Sequence, residues 1–233
     1  MSSINEKYFF MVQDMRAAKQ SGQLALLSGF KQNNNIPELD HHGIPVCEVA
    51  SEKAAIVAGA HKLTIPVSAS EAHSLANVRK ARADMVAEVR NIVAMRNERA
   101  PHVKIEAGVS TAFGCTLQGL VAEEDVVWLA GELANAGVDE IGLSDTTGMA
   151  NPAQVRRLFN KVRAVIGDKI GAAHMHNTRG LGLANCLAAF DVGVTTFDSS
   201  QGGLGGCPYA PGASGNVVTE DLVFMFEAMG VDT

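Results

Sequence analysis

Two histidines separated by one residue stand at the end of a short apolar run, in the segment GAAHMHNTRG at residues 171–180. If this run is a β-strand, residues two apart point to the same side, so the imidazoles of His174 and His176 lie together. Two neutral imidazoles on one side of a strand can bind the same divalent metal. The alternative is a pair of polar side chains that the backbone satisfies. The strand spacing of the two histidines, with Asn177 and glycines after them, favours the metal-binding interpretation, in which the pair supplies half of the ligands.

A glycine-rich stretch, QGGLGGCPYAPGASGN at residues 201–216, carries the next candidate groups. Glycine backbone can approach a ligand closely, and a thiol in such a loop is a candidate acid, base or nucleophile. Cys207 is that thiol, although it could also be a small residue in a tight turn. Asn216 could give a carbonyl oxygen to the metal or cap the helix predicted at residues 217–229.

Carboxylates at or near strand ends form the third group. Asp145, in LSDTTG, is a candidate base or hydrogen-bond partner, and the alternative is an aspartate that caps a turn. Glu48 and Glu106 are weaker candidates because a mid-strand carboxylate inside a barrel is costly unless it is paired. Each could equally face outward or pair with a lysine or arginine.

Short β-branched runs alternate with longer amphipathic runs along the chain. They predict the strands and helices that would hold these residues in place. The predicted strands are 44–50, 61–67, 102–109, 140–145, 170–176 and 195–200. The predicted helices are 51–59, 72–98, 122–136, 152–166, 180–192 and 217–229. Strand–helix alternation of this kind predicts a parallel sheet with crossover helices.

Six strand–helix units fit either an incomplete TIM (β/α)8-type barrel or a doubly wound open sheet. Polar residues such as Asp145, His174 and Asp198 lie in or after the strands, and in a barrel these strand ends surround one site. No GxGxxG segment opens the first unit, which argues against a dinucleotide-binding sheet. We therefore predict an α/β chain with an incomplete barrel at residues 44–233. Residues 1–43 lack clean strand–helix units and form a divergent N-terminal segment.

Composition narrows the class of protein. The 233 residues are 47% hydrophobic and carry a net charge of −6, which is typical of a globular chain and argues against binding to nucleic acid or an anionic membrane. No apolar run reaches the ~18 residues of a membrane helix, and the first residues lack a secretory pattern. The four cysteines match no zinc motif. We expect a cytoplasmic protein with free thiols.

At these residues the chain resembles the 3-hydroxy-3-methylglutaryl-CoA (HMG-CoA) lyase family. The resemblance is specific over GLGGCPYAPGASGNVVTEDLVFMFEAMGV and HMHNTRGLGLAN, although the family usually has Asp where Asn177 stands. EIGLSDTTGMANPAQV and SEAHSLANVRK are similar to two further family segments. The resemblance implies a (β/α)8 barrel and retro-Claisen cleavage of an acyl-CoA to acetyl-CoA and acetoacetate.

The resemblance also implies roles for individual residues. His174, His176 and Asn216 would bind Mg²⁺ or Mn²⁺. Cys207, Asp145 and His174 would be catalytic. Asn77, Thr146 and Gly206 would contact the acyl-CoA substrate, and the protein would be a homo-oligomer.

One departure from the family concerns its first two strands. The family's first strand carries an Arg-Asp pair, whose aspartate binds the metal, and its second strand carries a glutamate; no Val-Gly-x-Arg-Asp-Gly segment occurs in this sequence. We expect about two units to be missing, with weaker metal binding and slower catalysis as the result. The alternatives are a truncated, inactive or ligand-binding barrel that oligomerises through an exposed sheet edge, and a related aldolase or Claisen-type synthase.

Overall fold

The computed structural model describes residues 61–206, 212 and 215–233. Within them, five strands form one parallel sheet in sequence order: β1 (Lys62–Ser68), β2 (Lys104–Ser110), β3 (Glu140–Asp145), β4 (Ile170–Met175) and β5 (Phe197–Asp198). The α-helices are α1 (Glu71–Val78), α2 (Arg82–Arg99), α3 (Glu123–Ala136), α4 (Pro152–Ile166), α5 (Gly182–Asp191) and α6 (Thr219–Ala228). The α/β prediction is confirmed: every strand pairs in parallel with the next, as in part of a barrel.

Local sequence explains most of the element boundaries. Helix α4 begins where the Asn151 side chain accepts a hydrogen bond from the backbone N–H of Gln154, with Pro152 in the first turn. It ends at Gly167, whose φ of 62° suits a glycine. Strand β3 and helix α4 have the predicted bounds, and β5 is shorter than the predicted 195–200. The strand predicted at 44–50 and the helix at 51–59 lie outside the described residues.

The single helix predicted at 72–98 is wrong. Two helices occupy this range, because Arg79 adopts a left-handed conformation with φ of 59° and closes α1. The Glu71 carboxylate then accepts hydrogen bonds from the backbone N–H and Nε of Arg82 at 3.1 Å, which fixes the start of α2 beside α1. Leu75, an apolar residue of α1, is 50% exposed.

The core lies between one face of the sheet and the helices. Alternate strand residues such as Ile65, Val109, Leu143 and Met175 point into it and are fully or almost fully buried. The opposite face of the sheet therefore carries the other alternate residues, including Glu106, Ser144 and His174, as the interior of a barrel does. None of the helices in the described part of the chain is long and apolar enough to cross a bilayer.

Candidate active site at the carboxyl ends of the strands

The two histidines lie at the carboxyl end of β4, on the interior face of the sheet. His174 is paired in register with Ser144 on β3 and with Asp198 on β5. Met175 between them faces the helices and is fully buried. The strand alternation therefore brings both imidazoles to one side.

The imidazole nitrogens are spaced as ligands of one ion would be. The Nε2 atoms of His174 and His176 are 3.2 Å apart, and the ring centroids are 5.2 Å apart. Two nitrogens each about 2.1 Å from a shared cation are separated by roughly 3.0–3.4 Å at octahedral to tetrahedral angles. Burial, with the charge of His174, lowers the pKa of His176 to about 3, so this ring is the neutral form that binds metals.

Asn216 lies beside the histidine pair. Its backbone forms an isolated antiparallel bridge with His176, and its Nδ2 donates to the carbonyl of Leu204 at 2.8 Å. Its Oδ1 is buried without a hydrogen-bond partner, as is Nδ1 of His176. Buried polar atoms are normally paired, so the free Oδ1 of Asn216 is an acceptor that fits a cation. With Nε2 of His176 bound to a metal, its Nδ1 would carry the proton and act as a donor. The helix-cap alternative for Asn216 is wrong, since α6 begins after Val218.

Asp198 is a site residue that the sequence places among the polar strand-end residues but to which it assigns no role. Its Oδ2 lies 3.3 Å from Nδ1 of His174, and the residue is 8% exposed. A carboxylate at this nitrogen holds the proton on Nδ1 and presents Nε2 to a ligand. The signal for it is the register between β4 and β5, which the sequence does not contain.

Among the described residues, no group of three or more His, Cys, Asp and Glu side chains could hold a metal ion. A centre built on His174 and His176 therefore needs the amide of Asn216, residues outside the described part, or water. Mg²⁺ and Mn²⁺ accept amide oxygen and water readily.

Asp145 is arranged as the cap of a turn. Its carboxylate is 1% exposed and accepts hydrogen bonds from the backbone N–H groups of Met149 at 2.8 Å and Ala150 at 3.1 Å. Burial raises its pKa to about 6, against the lowering effect of these bonds and of the charges of Arg179 and His174. Asp145 is in register with Met175, so the histidine pair lies on the other face of the sheet. A carboxyl with this pKa can exchange protons near neutral pH.

This raised pKa predicts how stability varies with pH. The folded-state pKa lies above the unfolded value of 3.8, so the stabilisation linked to this proton is full below pH 3.8 and is lost as the pH rises through 6. Relative to Asp145→Asn, the unfolding free energy of the wild type should fall by about 2 kcal/mol between pH 4 and pH 7. Urea denaturation of both proteins across this range measures the difference. A difference that stays constant with pH would contradict the raised pKa.

Of the predicted substrate-binding residues, Thr146 directly follows β3. Thr146 is buried, and its Oγ1 accepts a hydrogen bond from the backbone N–H of Thr111 at 2.9 Å. Asn77 is partly exposed on α1, which follows β1, and Gly206 is partly exposed in the loop after β5. No hydrogen bond described here joins Asn77 or Gly206 to the histidine pair.

Thr111 holds three strand ends together. Its Oγ1 accepts from the backbone N–H of Ser70 after β1, and its own N–H reaches Thr146 after β3. The residue is fully buried with φ of 55°, an uncommon conformation for a β-branched residue. Such strain is tolerated where surrounding hydrogen bonds fix the backbone.

Two predicted candidates, Cys207 and Glu48, lie outside the described residues. The other weak candidate, Glu106, is buried and paired: its Oε2 is 2.6 Å from Nζ of Lys62. The alternative in which Glu106 pairs with a lysine or arginine is therefore confirmed.

Comparisons with known proteins agree with this arrangement. The profile of the HMGL-like family matches residues 31–233. The hydroxymethylglutaryl-CoA lyase YngG of Bacillus subtilis is 39% identical over 179 residues, which are 77% of this chain and 59% of that protein. The (R)-citramalyl-CoA lyase of Chloroflexus aurantiacus is 38% identical over 77% of this chain and 56% of its own length.

Solved structures of HMG-CoA lyases are also similar to this chain. An HMG-CoA lyase from Acinetobacter baumannii in complex with coenzyme A and 3-methylmalate is 44% identical, with a TM-score of 0.72 over 78% of this chain and 58% of that one. The chain thus spans less than two thirds of the length of these relatives. The parallel strand–helix arrangement, the family profile and these identities together place the chain in the HMGL-like family, which includes the HMG-CoA lyases.

Proposed function

We propose that this protein cleaves a carbon–carbon bond in a 3-hydroxy-3-methylglutaryl-CoA-like thioester, with Mg²⁺ or Mn²⁺ held by His174, His176 and Asn216. The observation that carries the proposal is the 3.2 Å separation of the two Nε2 atoms, together with the unpartnered, buried Oδ1 of Asn216, whose backbone bridges to that of His176. A bound divalent ion would lower the pKa of the substrate hydroxyl and orient the substrate carboxylate. The family relationship and the strand-end location support the same chemistry.

The reaction needs a base, a bond cleavage and an acid. A base removes the proton of the tertiary hydroxyl, and the C2–C3 bond breaks. The electron pair of that bond forms the enolate of acetyl-CoA, and the carbon that carried the hydroxyl becomes a ketone. The enolate carbon then takes a proton to give acetyl-CoA.

We assign the acid to the thiol of Cys207, on the resemblance of its glycine-rich loop to that of the lyases. Gly206 precedes this thiol, and its backbone would contact the acyl group. Asp145 is proposed as an acid–base group because its pKa of about 6 lies near neutral pH, and its carboxylate, which caps the turn on the helix-facing side, would act on the site through that turn. Thr146 and Asn77 are proposed contacts of the acyl-CoA.

The acyl group is the finer part of the proposal. The relatives include both an HMG-CoA lyase and a citramalyl-CoA lyase at nearly equal identity, 39% and 38%. Both names give a CoA thioester as the substrate of a lyase, so the shared substrate class is an acyl-CoA. HMG-CoA is our first choice because most of the relatives compared carry that name.

We also propose that the protein is a homo-oligomer and that residues 44–233 form its barrel domain. Within the described residues, β1 pairs only with β2 and β5 only with β4.

The test is release of acetyl-CoA from HMG-CoA and, separately, from citramalyl-CoA, with Mg²⁺ or Mn²⁺ and after treatment with a chelator. We expect metal-dependent release from one of these thioesters that the Cys207→Ala variant lacks. Release that is equal in wild type and Cys207→Ala, or no release from either thioester, would contradict the proposal.

Loss of the Asp198 carboxylate should weaken metal binding. In Asp198→Asn the partner that holds the His174 proton on Nδ1 is replaced by an amide, and changes to such outer partners cost 10- to 100-fold in metal affinity. We expect the Mn²⁺ dissociation constant, measured by EPR of free Mn²⁺, to rise by about this factor. Asp191→Asn is the matched control, because Asp191 pairs with Arg156 on the surface. An unchanged Mn²⁺ dissociation constant in Asp198→Asn would show that the Asp198 carboxylate does not determine which nitrogen of His174 carries the proton.

A further inference from the structure

Glu106 makes a contact that spans the sheet. It lies on β2, yet its Oε1 accepts a hydrogen bond at 2.8 Å from the backbone N–H of Ala172 on β4. Its Oε2 lies 2.6 Å from Nζ of Lys62 on β1, and the residue is 4% exposed. One buried carboxylate thus connects β1, β2 and β4 and passes over β3 on the interior face.

The Ala172 N–H needs this partner because the ladder between β3 and β4 is irregular there. Ile141 is in register with Ile170, but Leu143 is in register with Ala173, so β4 has one extra residue at this point. An extra residue leaves a backbone group without its ladder partner. The Glu106 carboxylate supplies the missing acceptor.

The extra residue decides where the histidines point. With it, His174 is in register with Ser144 on the interior face. Without it, His174 would be in register with Asp145, which faces the helices as Leu143 does. A shift of one residue sends every following side chain to the other face. The irregularity at Gly171 and Ala172 therefore brings both histidines to the interior.

Two glycines leave room for the carboxylate. A Cβ at Gly142 would lie 2.7 Å from Oε1 of Glu106, and a Cβ at Gly171 would lie 2.5 Å from it. Real side chains do not tolerate such contacts, so either residue would have to displace the carboxylate or the strand. Gly171 has no left-handed φ, and only space requires a glycine there.

We propose that Glu106 is a positioning residue: by accepting the Ala172 N–H it stabilises the irregular register of β4 and so holds His174 and His176 on the interior face. The proposal deepens the proposed function and rests on it for the use of the histidine pair. Glu106 touches neither histidine, and it acts through the backbone of β4.

Four variants test this role. Glu106→Met removes the acceptor while keeping a side chain of similar length, and Gly171→Ala displaces the carboxylate. Glu106→Gln keeps an acceptor for Ala172, and Glu140→Gln is the matched control, because Glu140 also pairs with Lys62 but lies outside the irregularity. Mn²⁺ binding by EPR and the ring ¹⁵N signals of His174 in the metal-free protein are measured well below the melting temperature.

We expect the Mn²⁺ dissociation constant to rise about 10-fold or more in Glu106→Met and Gly171→Ala and to stay within about threefold of wild type in both Gln variants. A double variant that combines Glu106→Met with Gly171→Ala should lose no more affinity than either single variant, since both substitutions remove the same contact. The His174 ring signals should change in the same two variants.

Folded Glu106→Met and Gly171→Ala proteins with wild-type Mn²⁺ affinity and unchanged His174 signals would overturn the proposal, even if they melt at lower temperature. If Glu106→Met does not fold, Gly171→Ala is compared with Glu106→Gln instead. Wild-type Mn²⁺ affinity and unchanged His174 signals in Gly171→Ala would then overturn the proposal. If the wild type binds no Mn²⁺ but the His174 signals change as expected, the positioning role stands and the metal proposal fails.

Discussion

The His176→Ala variant is expected to lose at least 100-fold in Mn²⁺ affinity and about 10³-fold in acetyl-CoA release. The physical reason is that His176 supplies one of the two nitrogens, 3.2 Å apart, that would share the ion. With one nitrogen gone, Asn216 and water must replace a neutral, buried ligand. EPR of free Mn²⁺ and a coupled acetyl-CoA assay measure the two effects.

Met175→Leu is the control for this variant. Met175 adjoins His176 but points into the core, so a swap of similar volume should cost less than about 1.5 kcal/mol in stability and leave metal binding intact. If His176→Ala keeps wild-type Mn²⁺ affinity while remaining folded, the two imidazoles do not share an ion.

The Cys207→Ala variant should separate binding from chemistry. We expect kcat for acetyl-CoA release to fall about 10²- to 10⁴-fold, the typical contribution of a general acid or base. The dissociation constant for Mn²⁺ should stay unchanged, because the thiol is assigned to proton transfer and not to the metal. A steady-state assay and Mn²⁺ EPR on the same preparation test both parts.

Cys186→Ala is the matched thiol control. Burial, with the charge of Asp198, raises the pKa of Cys186 to about 12, so this thiol stays protonated and unreactive at neutral pH. Its loss should lower the melting temperature with little effect on kcat. If Cys207→Ala retains full kcat, or if it loses Mn²⁺ binding, the assignment of Cys207 as the acid is wrong.

The sequence predicted the strand–helix rhythm well because the apolar periods of strands and helices differ. Strand β3 and helix α4 begin and end as predicted, since Asn151 and Gly167 mark the helix termini. The break between α1 and α2 was missed because it depends on Arg79 in a left-handed conformation and on the side chain of Glu71. Neither Gly nor Pro marks that break.

The candidate site was predictable only where it depends on short spacing. His174 and His176 are two residues apart, so strand geometry alone brings them together. Asp198 depends on the register between two strands, and Glu106 depends on an extra residue in β4 that no local pattern signals. Contacts of this kind arise from strand pairing, and a single sequence does not specify which residues pair.

The most direct test of the central claim is pulsed EPR of the Mn²⁺-loaded protein labelled with ¹⁵N-histidine. The shared-ion arrangement predicts couplings from two imidazole nitrogens in the wild type and from one in His176→Gln. A wild-type spectrum with water ligands and no histidine nitrogen coupling would contradict it.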